Sequence, residues 1–301
     1  MATFTEPVRG GWSGRIAQLN TEYFEAASDT FGGKVGVSVS FPNGYDPDGP
    51  AIPVVYALDS QWHGGIYEKM HLGLTGPEGT QAVQRFVQVN IGYIDEGVDA
   101  LAVRNRDLVP PGEPVPAAMR DFITEMFGSQ EGLVEQFFEW LDNPHADHFL
   151  AFLENELHPF VKGRYNVSDE NVGLFGFSYG GLFAIYALTQ NSTLFSNFGA
   201  GSPGILVPDS TICDLYRAFK DDPASAGRAR HLHVTLGAGE IFGPHAFYRQ
   251  LAIEVLQFLD LVSGDPVPGV TLSTKVFEVE DHETGTIDAY RSFARTCYPA
   301  K

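Results

Sequence analysis

Short runs of apolar, often β-branched residues alternate with longer amphipathic segments along most of this 301-residue chain. The runs "IPVVYALD", "RFVQVNIGY" and "NVGLFGF" are typical of strands that are buried on both faces. The segments between them carry apolar residues at helical spacing, as in "FLAFLENELHPFVKGRY". This order predicts an α/β fold with a mostly parallel central sheet and helices on both faces.

The first strands of the sheet are predicted to form an antiparallel ribbon. The stretches "YFEAAS" and "KVGVSVSFP" flank the glycine pair Gly32-Gly33, and the second stretch alternates apolar and polar residues. Further strands are predicted at "LFSNFGAG", "RHLHVTLGAG" and "LSTKVFEVE", and further helices at "GLFAIYALTQ", "HAFYRQLAIEVLQFLDLV" and "IDAYRSFARTCY". We therefore predict a single domain over residues 1–301.

Residues 104–148 interrupt the alternation. They begin with a proline cluster and continue into the helical, aromatic-rich stretch "AAMRDFITEMFGSQEGLVEQFFEWLDN". A central sheet does not need such an insertion. It is predicted to be either a helical cap over a pocket or a helical segment that simply packs on the domain, because apolar helix faces usually belong to a core.

Ser178 lies in the pattern G-x-S-x-G, between the predicted strand "NVGLFGF" and the predicted helix "YGGLFAIYAL". A strand–serine–helix turn of this kind exposes the hydroxyl and needs small flanking residues, here Gly176 and Gly180. The start of the helix favours developing negative charge. The pattern therefore predicts Ser178 as a nucleophile and the Tyr179 N–H as an oxyanion-hole donor.

A second serine, Ser202, also follows a predicted strand, in "AGSPG". The residue after it is Pro203, which has no N–H to offer to an oxyanion. Ser202 is therefore a poor candidate for the nucleophile.

The histidine and the acid of a catalytic triad are expected after the serine in chain order. His282 follows the last predicted strand and precedes the final helix, and Glu240 follows the strand "HLHVTLGAG". We predict that Glu240 orients His282 and stabilises its imidazolium form. Other residues are less well placed for these roles: His231, His233, His245, Asp260, Asp281 and Glu283.

The second oxyanion donor is expected in the loop that follows "VVYAL". This loop reads "DSQWH", and the backbone N–H of Ser60 or of Gln61 is predicted to serve.

These segments together resemble the putative-esterase branch of the α/β-hydrolases, which includes enterobactin (siderophore) esterases and esterase D-like enzymes. The resemblance rests on "IPVVYALDSQW", "VNIGY" with "RNRDLVPP", "GLFGFSYGGLFAIYAL", "LGAGE" and "VEDHETG", spread over residues 21–298. It implies an α/β-hydrolase fold with Ser178 and His282 as catalytic residues. It implies the role of Glu240 less directly, since some members use a Ser/His dyad.

The chain departs from the pattern of this branch at several positions. Ser60 stands where glycine is usual, Val109 where threonine is usual, and Phe177 where histidine or tryptophan is common. The apolar insertion has few lysines or arginines for an iron–catecholate anion. We therefore expect an apolar or aromatic ester or lactone, with Phe177, Trp62 and Trp140 as substrate contacts.

The sequence favours a serine carboxylic-ester hydrolase, an esterase or a lactonase, that acts through an acyl-enzyme. An acyltransferase with the same nucleophile and a catalytically silent binding protein are the alternatives. No cofactor is needed, and no metal is expected, because His145 and His148 have no third ligand in the pattern.

The partners and the compartment follow from charge and hydropathy. A formal net charge of −19 argues against nucleic acid and anionic membranes as partners. No stretch has the length and apolarity of a membrane span, so a cytoplasmic protein is expected. A small-molecule ester or lactone is the expected partner, and a homo-oligomer is compatible with the sequence.

Overall fold

The computed structural model describes residues 1–6, 8–9 (backbone only), 20–77, 79–94, 99–130 and 132–300. Within these ranges one mixed sheet contains ten strands. The strands are β1 (Thr3–Phe4), β2 (Val8–Arg9), β3 (Thr21–Ser28), β4 (Gly33–Ser40), β5 (Val54–Ala57), β6 (Val87–Tyr93), β7 (Gly173–Phe177), β8 (Asn197–Gly201), β9 (Arg230–Gly237) and β10 (Val270–Phe277).

The strand order is β1-β3-β4-β6-β5-β7-β8-β9-β10, and β2 pairs with β3. The pairs from β6 through β5, β7, β8 and β9 to β10 are all parallel. The ribbon is antiparallel, because β4 pairs in the opposite direction with both β3 and β6. In the predicted hairpin, Thr21 pairs with Ser40 and Ser28 with Gly33. The mostly parallel sheet and the antiparallel ribbon are thus as predicted.

Helices cover both faces of the sheet. They are α1 (Ser60–Leu74), α2 (Ala100–Leu108), α3 (Ala117–Phe127), α4 (Leu133–Leu141), α5 (Ala146–Phe152), α6 (His158–Arg164), α7 (Tyr179–Thr189), α8 (Thr211–Asp221), α9 (Ala238–Phe242), α10 (Ala246–Gly264) and α11 (Thr286–Cys297). A π turn (Leu153–Leu157) joins α5 and α6 into the single long helix that the sequence predicts.

Alternate residues of β5 show how the two faces are buried. Val54 and Tyr56 contribute to one apolar cluster, which includes residues of α5, α7 and α10. Val55 and Ala57 contribute to a second cluster, which includes residues of α1 and α11. Period-two alternation sends successive side chains to opposite faces, so a strand that is apolar at every position needs cover on both sides.

The loop predicted after β5 is wrong, because helix α1 begins at Ser60. Asp59 precedes it in a left-handed conformation, with φ 58°, and its carbonyl accepts from the N–H groups of Trp62 and His63. Its side chain makes no capping hydrogen bond to the helix. Asp59 thus has the position of an N-cap residue, but it lacks the side-chain hydrogen bond that such a residue usually makes to the helix.

The predicted insertion at 104–148 begins inside α2, a buried helix of the main body. Helix α4 packs on α2, and α3 lies against the start of α10, where the rings of Phe122 and Phe247 stack at 4.5 Å. The connecting segment is fixed by Glu113, whose carboxylate accepts from the Thr211 N–H at 2.9 Å. Burial raises the pKa of Glu113.

Candidate active site

Ser178 occupies a sharp turn between β7 and α7. Its backbone angles are φ 58° and ψ −122°, a conformation that non-glycine residues rarely adopt. Gly176 makes this turn feasible, because a Cβ there would lie 2.3 Å from the carbonyl carbon of Gly180. The backbone strain concentrated at this serine is typical of functional sites.

Backbone hydrogen bonds hold the turn from the neighbouring strand. The Ser178 N–H donates to the Gly201 carbonyl at 2.8 Å, and the Ser178 carbonyl accepts from Gly204 at 2.9 Å. Tyr179 is the first residue of α7, a position whose N–H has no acceptor within the helix. Its N–H is therefore available to a ligand beside Ser178.

Five residues of the site follow the carboxyl ends of adjacent parallel strands. They come after β5, β7, β8, β9 and β10, in that order: Asp59, Ser178, Ser202, Glu240 and His282. Parallel strands place these ends at one edge of a sheet, which is where ligands of such sheets bind. The predicted serine, acid and histidine, which are far apart in the chain, thus lie at the same edge of the sheet.

His282 and Glu240 are directly hydrogen-bonded. The Nδ1 atom of His282 lies 2.7 Å from Oε1 of Glu240, whose side chain is completely buried. A carboxylate only accepts, so Nδ1 is the donor in this contact, and Nε2 is the nitrogen that it leaves for other partners. The imidazole lines the same cavity as Ser178.

The second carboxylate oxygen of Glu240 is held by two donors. Oε2 accepts from the Gly237 N–H at 2.6 Å and from the Ser202 hydroxyl at 2.7 Å. Ser202 has φ 38° and is buried. Ser202, a poor candidate for the nucleophile by its sequence, thus holds the predicted acid through a contact across 38 positions that no local pattern signals.

On the predicted role of Glu240 in ester hydrolysis, Ser202→Ala is expected to lower kcat about tenfold and the free energy of unfolding by about 1–2 kcal/mol. A buried carboxylate loses one of its hydrogen bonds, and bonds to charged groups contribute about that much. Steady-state kinetics and urea unfolding measure both effects. Ser196→Ala, before the other end of β8, is the matched control and is expected to keep kcat. Wild-type kcat in Ser202→Ala would contradict this role.

A cavity of about 340 Å³ opens above Ser178, and its walls are largely apolar. Among the residues predicted for the site, it is lined by Ser178, Tyr179, His282, Phe177 and Trp62. Apolar side chains of α3 form much of the rest of the wall: Met119, Phe122, Ile123, Met126 and Phe127. Helix α3 therefore forms part of the pocket wall, and its role as a cap stays a prediction.

Trp140, predicted as a substrate contact, is not among the residues that line this cavity. Its ring lies under the guanidinium of Arg106, 4.8 Å from the ring centroid, and Arg106 pairs with Asp107 through two hydrogen bonds. Trp140 thus faces α2. The apolar content of α4 did not show which face of this helix packs on α2.

Ser60 and Gln61 also lie outside the residues that line the cavity. The Gln61 amide accepts from the Tyr93 N–H at 3.2 Å and donates to Asp59 at 3.3 Å. Its backbone nitrogen would be 2.6 Å from a Cβ at Gly92, so it lies against β6, on the side of β5 away from Ser178. This position disfavours Gln61 as an oxyanion donor. The Ser60 N–H, at the first position of α1, stays a prediction.

A buried ion pair at the edge of the cavity was not anticipated. Arg104 donates to both carboxylate oxygens of Asp59, at 2.9 and 2.7 Å, and its guanidinium lies 5.5 Å from the rings of Trp62 and Tyr179. Burial disfavours its charged form, but the Asp59 carboxylate more than offsets this and raises the pKa of Arg104. The cavity therefore contains a compensated charge pair.

His145 and His148 gain a neighbour that the sequence pattern did not suggest. Together with Asp147 they offer three ligand atoms within 4.8 Å of one another, and all three side chains are exposed. The group lies outside the cavity around Ser178. Exposure leaves these side chains without the surrounding hydrogen bonds that orient metal ligands.

Across the part of the chain that the structure describes, no helix is both long enough and apolar enough to cross a membrane.

The chain is similar to known esterases in sequence. Residues 139–259 match the family described as "Putative esterase". Ferri-bacillibactin esterase BesA of Bacillus subtilis is 27% identical over 203 residues, 67% of this chain and 64% of that protein. A siderophore triacetylfusarinine C esterase of Aspergillus fumigatus is 40% identical over 101 residues, 33% of this chain and 35% of that protein. The aligned parts thus cover less than two thirds of either relative.

Solved structures share the architecture over nearly the whole chain. Siderophore hydrolase EstB from Aspergillus nidulans superposes with a TM-score of 0.71 at 21% identity, covering 94% of this chain and 95% of that one. The BES protein from Bacillus cereus gives 0.73 at 18% identity, covering 95% and 97%. These similarities confirm the predicted α/β-hydrolase fold.

Proposed function

We propose that this chain, which resembles the siderophore-esterase-like branch of the "Putative esterase" family, is a serine hydrolase of carboxylic esters. One observation carries the proposal. His282 is hydrogen-bonded to the buried Glu240 at 2.7 Å, and its ring lines the same cavity as Ser178, which stands on a strained strand-to-helix turn. Nucleophile, base and orienting acid are the parts that acyl transfer to serine requires.

The first half of the proposed reaction forms an acyl-enzyme. Nε2 of His282 takes the hydroxyl proton of Ser178 while Oγ attacks the ester carbonyl carbon. The oxyanion accepts hydrogen bonds from the Tyr179 N–H and, as a second donor, from the Ser60 N–H. The intermediate collapses, the carbon–oxygen bond to the alcohol breaks, and the alcohol leaves with the proton from His282.

The second half releases the acid. His282 takes a proton from water, and the hydroxide oxygen attacks the acyl carbon. The bond to Oγ then breaks, and His282 returns the proton to Ser178. Glu240 stays ionised throughout and stabilises the imidazolium that forms twice in each turnover.

The cavity walls favour an apolar or aromatic acyl group. Arg104 is the one arginine or lysine among the described lining residues, and its charge is compensated by Asp59. The names of the relatives refer to siderophores. An iron–catecholate siderophore is an anion, and its binding needs cations that are not already paired with a carboxylate. An uncharged ester or lactone suits this cavity better than such an anion.

Filling the cavity is expected to discriminate between acyl chains. Ile123 is a buried residue of α3 that lines the cavity, and Ile123→Trp occupies the space of a long chain. We expect kcat/KM for p-nitrophenyl octanoate to fall about 30-fold and that for the acetate to stay within about threefold, since each excluded methylene costs about 1 kcal/mol or more. Ile253→Trp, at an exposed position of α10, is the matched control. Equal losses on both esters would contradict an acyl cavity at Ile123.

A fluorophosphonate probe tests the proposal directly. We expect one covalent label per chain, located on Ser178 by peptide mass spectrometry, and hydrolysis of p-nitrophenyl esters by the same preparation. If no serine is labelled and no ester is cleaved, the catalytically silent alternative holds. If the label forms but turnover needs an added alcohol, the acyltransferase holds. Faster cleavage of ferric enterobactin than of the apolar esters would overturn the apolar substrate and leave the hydrolase standing.

A further inference from the structure

The imidazole of His282 is stacked by an aromatic ring that the sequence did not single out. The ring of Tyr248, in the first turn of α10, lies 4.6 Å from it, centroid to centroid, with 17° between the planes. Phe177 makes a second contact at 5.1 Å, tilted by 52°. Two aromatic rings therefore contact the proposed catalytic base.

Tyr248 is itself held in place by several contacts. Its hydroxyl donates to Oε1 of Glu283 at 2.7 Å, and its ring meets Phe122 of α3 edge-on at 6.0 Å. Burial, with the hydrogen bond to Glu283, raises the pKa of the Tyr248 phenol. The phenol thus keeps its proton at neutral pH and remains a donor to Glu283.

The hydrogen bond to Glu240 fixes one atom of His282, but it does not fix the plane of the ring. Coupled changes of the two side-chain torsions can still rotate the imidazole about that anchored atom, and this rotation displaces Nε2 within the cavity that it shares with Ser178. A stacked ring opposes this rotation. It also presents its electron-rich face to the imidazolium, which attracts the cation.

We propose that Tyr248 is a positioning residue. Its ring holds the imidazole of His282 in the orientation in which Nε2 can serve Ser178, and it stabilises the imidazolium. The inference rests on the proposed function, because it assigns His282 the role of base. Tyr248 acts through His282, and its second contact with α3 makes the cap a support for the base.

Several charged or titratable groups share the surroundings of His282. The groups next to it are Glu240 on α9, Tyr248 on α10, and Asp281 and Glu283 on its own loop, and the cavity adds Asp59, His63 and Arg104. All except Tyr248 are kept in the variants below. A change in the pH profile therefore reports on the Tyr248 ring.

The sign of the pH effect follows from the chemistry of the base. His282 must be neutral to accept the proton of Ser178, so the acidic limb of kcat/KM reports its protonation. The stacked ring favours the protonated form. Its removal is therefore expected to move this limb to lower pH.

The experiment compares three variants with p-nitrophenyl acetate, and Phe247→Leu with p-nitrophenyl octanoate as well. Tyr248→Leu removes the ring and the hydroxyl, Tyr248→Phe removes the hydroxyl alone, and Phe247→Leu removes a neighbouring cavity ring that stacks on Phe122. We expect Tyr248→Leu to lower kcat about tenfold, to keep KM within twofold and to shift the acidic limb. Tyr248→Phe retains the limb of the wild type, and Phe247→Leu changes KM for long-chain esters without a shift.

An NMR titration of the His282 imidazole resonance, assigned with His282→Gln, gives a readout that needs no turnover. Its midpoint is expected at lower pH in Tyr248→Leu than in the wild type and in Tyr248→Phe. An unchanged midpoint and an unchanged acidic limb in a folded Tyr248→Leu would overturn the inference and reduce Tyr248 to a cavity wall. A wild-type protein that cleaves no ester refutes the proposed function instead, and the titration still decides the role of the ring.

Discussion

Ser178→Ala is expected to lower kcat for p-nitrophenyl esters about 10⁴-fold or more, with the fold retained. The variant removes the atom that forms the acyl-enzyme in the proposed reaction, and what remains is catalysis by binding and by the oxyanion donors alone. Alanine is smaller than serine, and the turn is held by two backbone hydrogen bonds that do not involve the hydroxyl: Ser178 N–H donates to Gly201, and Gly204 N–H donates to Ser178. Circular dichroism and thermal unfolding are therefore expected to match the wild type.

The measurement combines steady-state kinetics with labelling. Loss of the fluorophosphonate label in Ser178→Ala must accompany the loss of turnover, because both need the same hydroxyl. Activity within tenfold of the wild type would show that Ser178 is not the nucleophile. Ser202→Ala, which keeps Ser178, must still be labelled.

Glu240→Gln is expected to have the second largest effect, lowering kcat about 10³-fold. The carboxylate accepts from His282, Gly237 and Ser202 at once, and an amide places an NH₂ group against one of these donors. The imidazolium also loses a buried negative charge at 2.7 Å. KM for a small ester should change little, since Glu240 lies behind His282 and does not line the cavity.

Glu254→Gln is the matched control for this variant. Glu254 is also a buried glutamate, on α10, and it bonds to Gln250 outside the cavity. We expect its kcat within twofold of the wild type. If Glu240→Gln keeps kcat within tenfold, His282 works without a charged partner, and a Ser/His dyad is sufficient in this chain.

Local patterns were enough to predict the frame of the molecule. The patterns of buried strands, long helices and the strand–serine–helix turn each extend over about ten residues. They can therefore be recognised in a short continuous stretch of sequence. The chain order of Ser178, Glu240 and His282 then implied a shared edge of the sheet. That edge follows from the parallel direction of the strands.

The start of α1 and the surroundings of Gln61 were not predictable in this way. Helix α1 begins without a capping side chain, because Asp59 binds Arg104, 45 positions away. Gln61 then faces β6 because of the direction in which the helix leaves β5. Both outcomes are set by packing between elements that are distant in sequence.

By itself the sequence determined the fold class and the turn at Ser178, and it predicted His282 and Glu240 as the histidine and the acid, since these follow from short-range periodicity and from chain order. The tertiary structure alone decided which side chains surround them: Ser202 on Glu240, Tyr248 on His282, Arg104 on Asp59, and Trp140 turned away from the cavity. The physical reason is that a contact between side chains depends on where whole helices and strands dock. Docking is fixed by the summed packing of the entire core, and no single stretch of sequence carries that information.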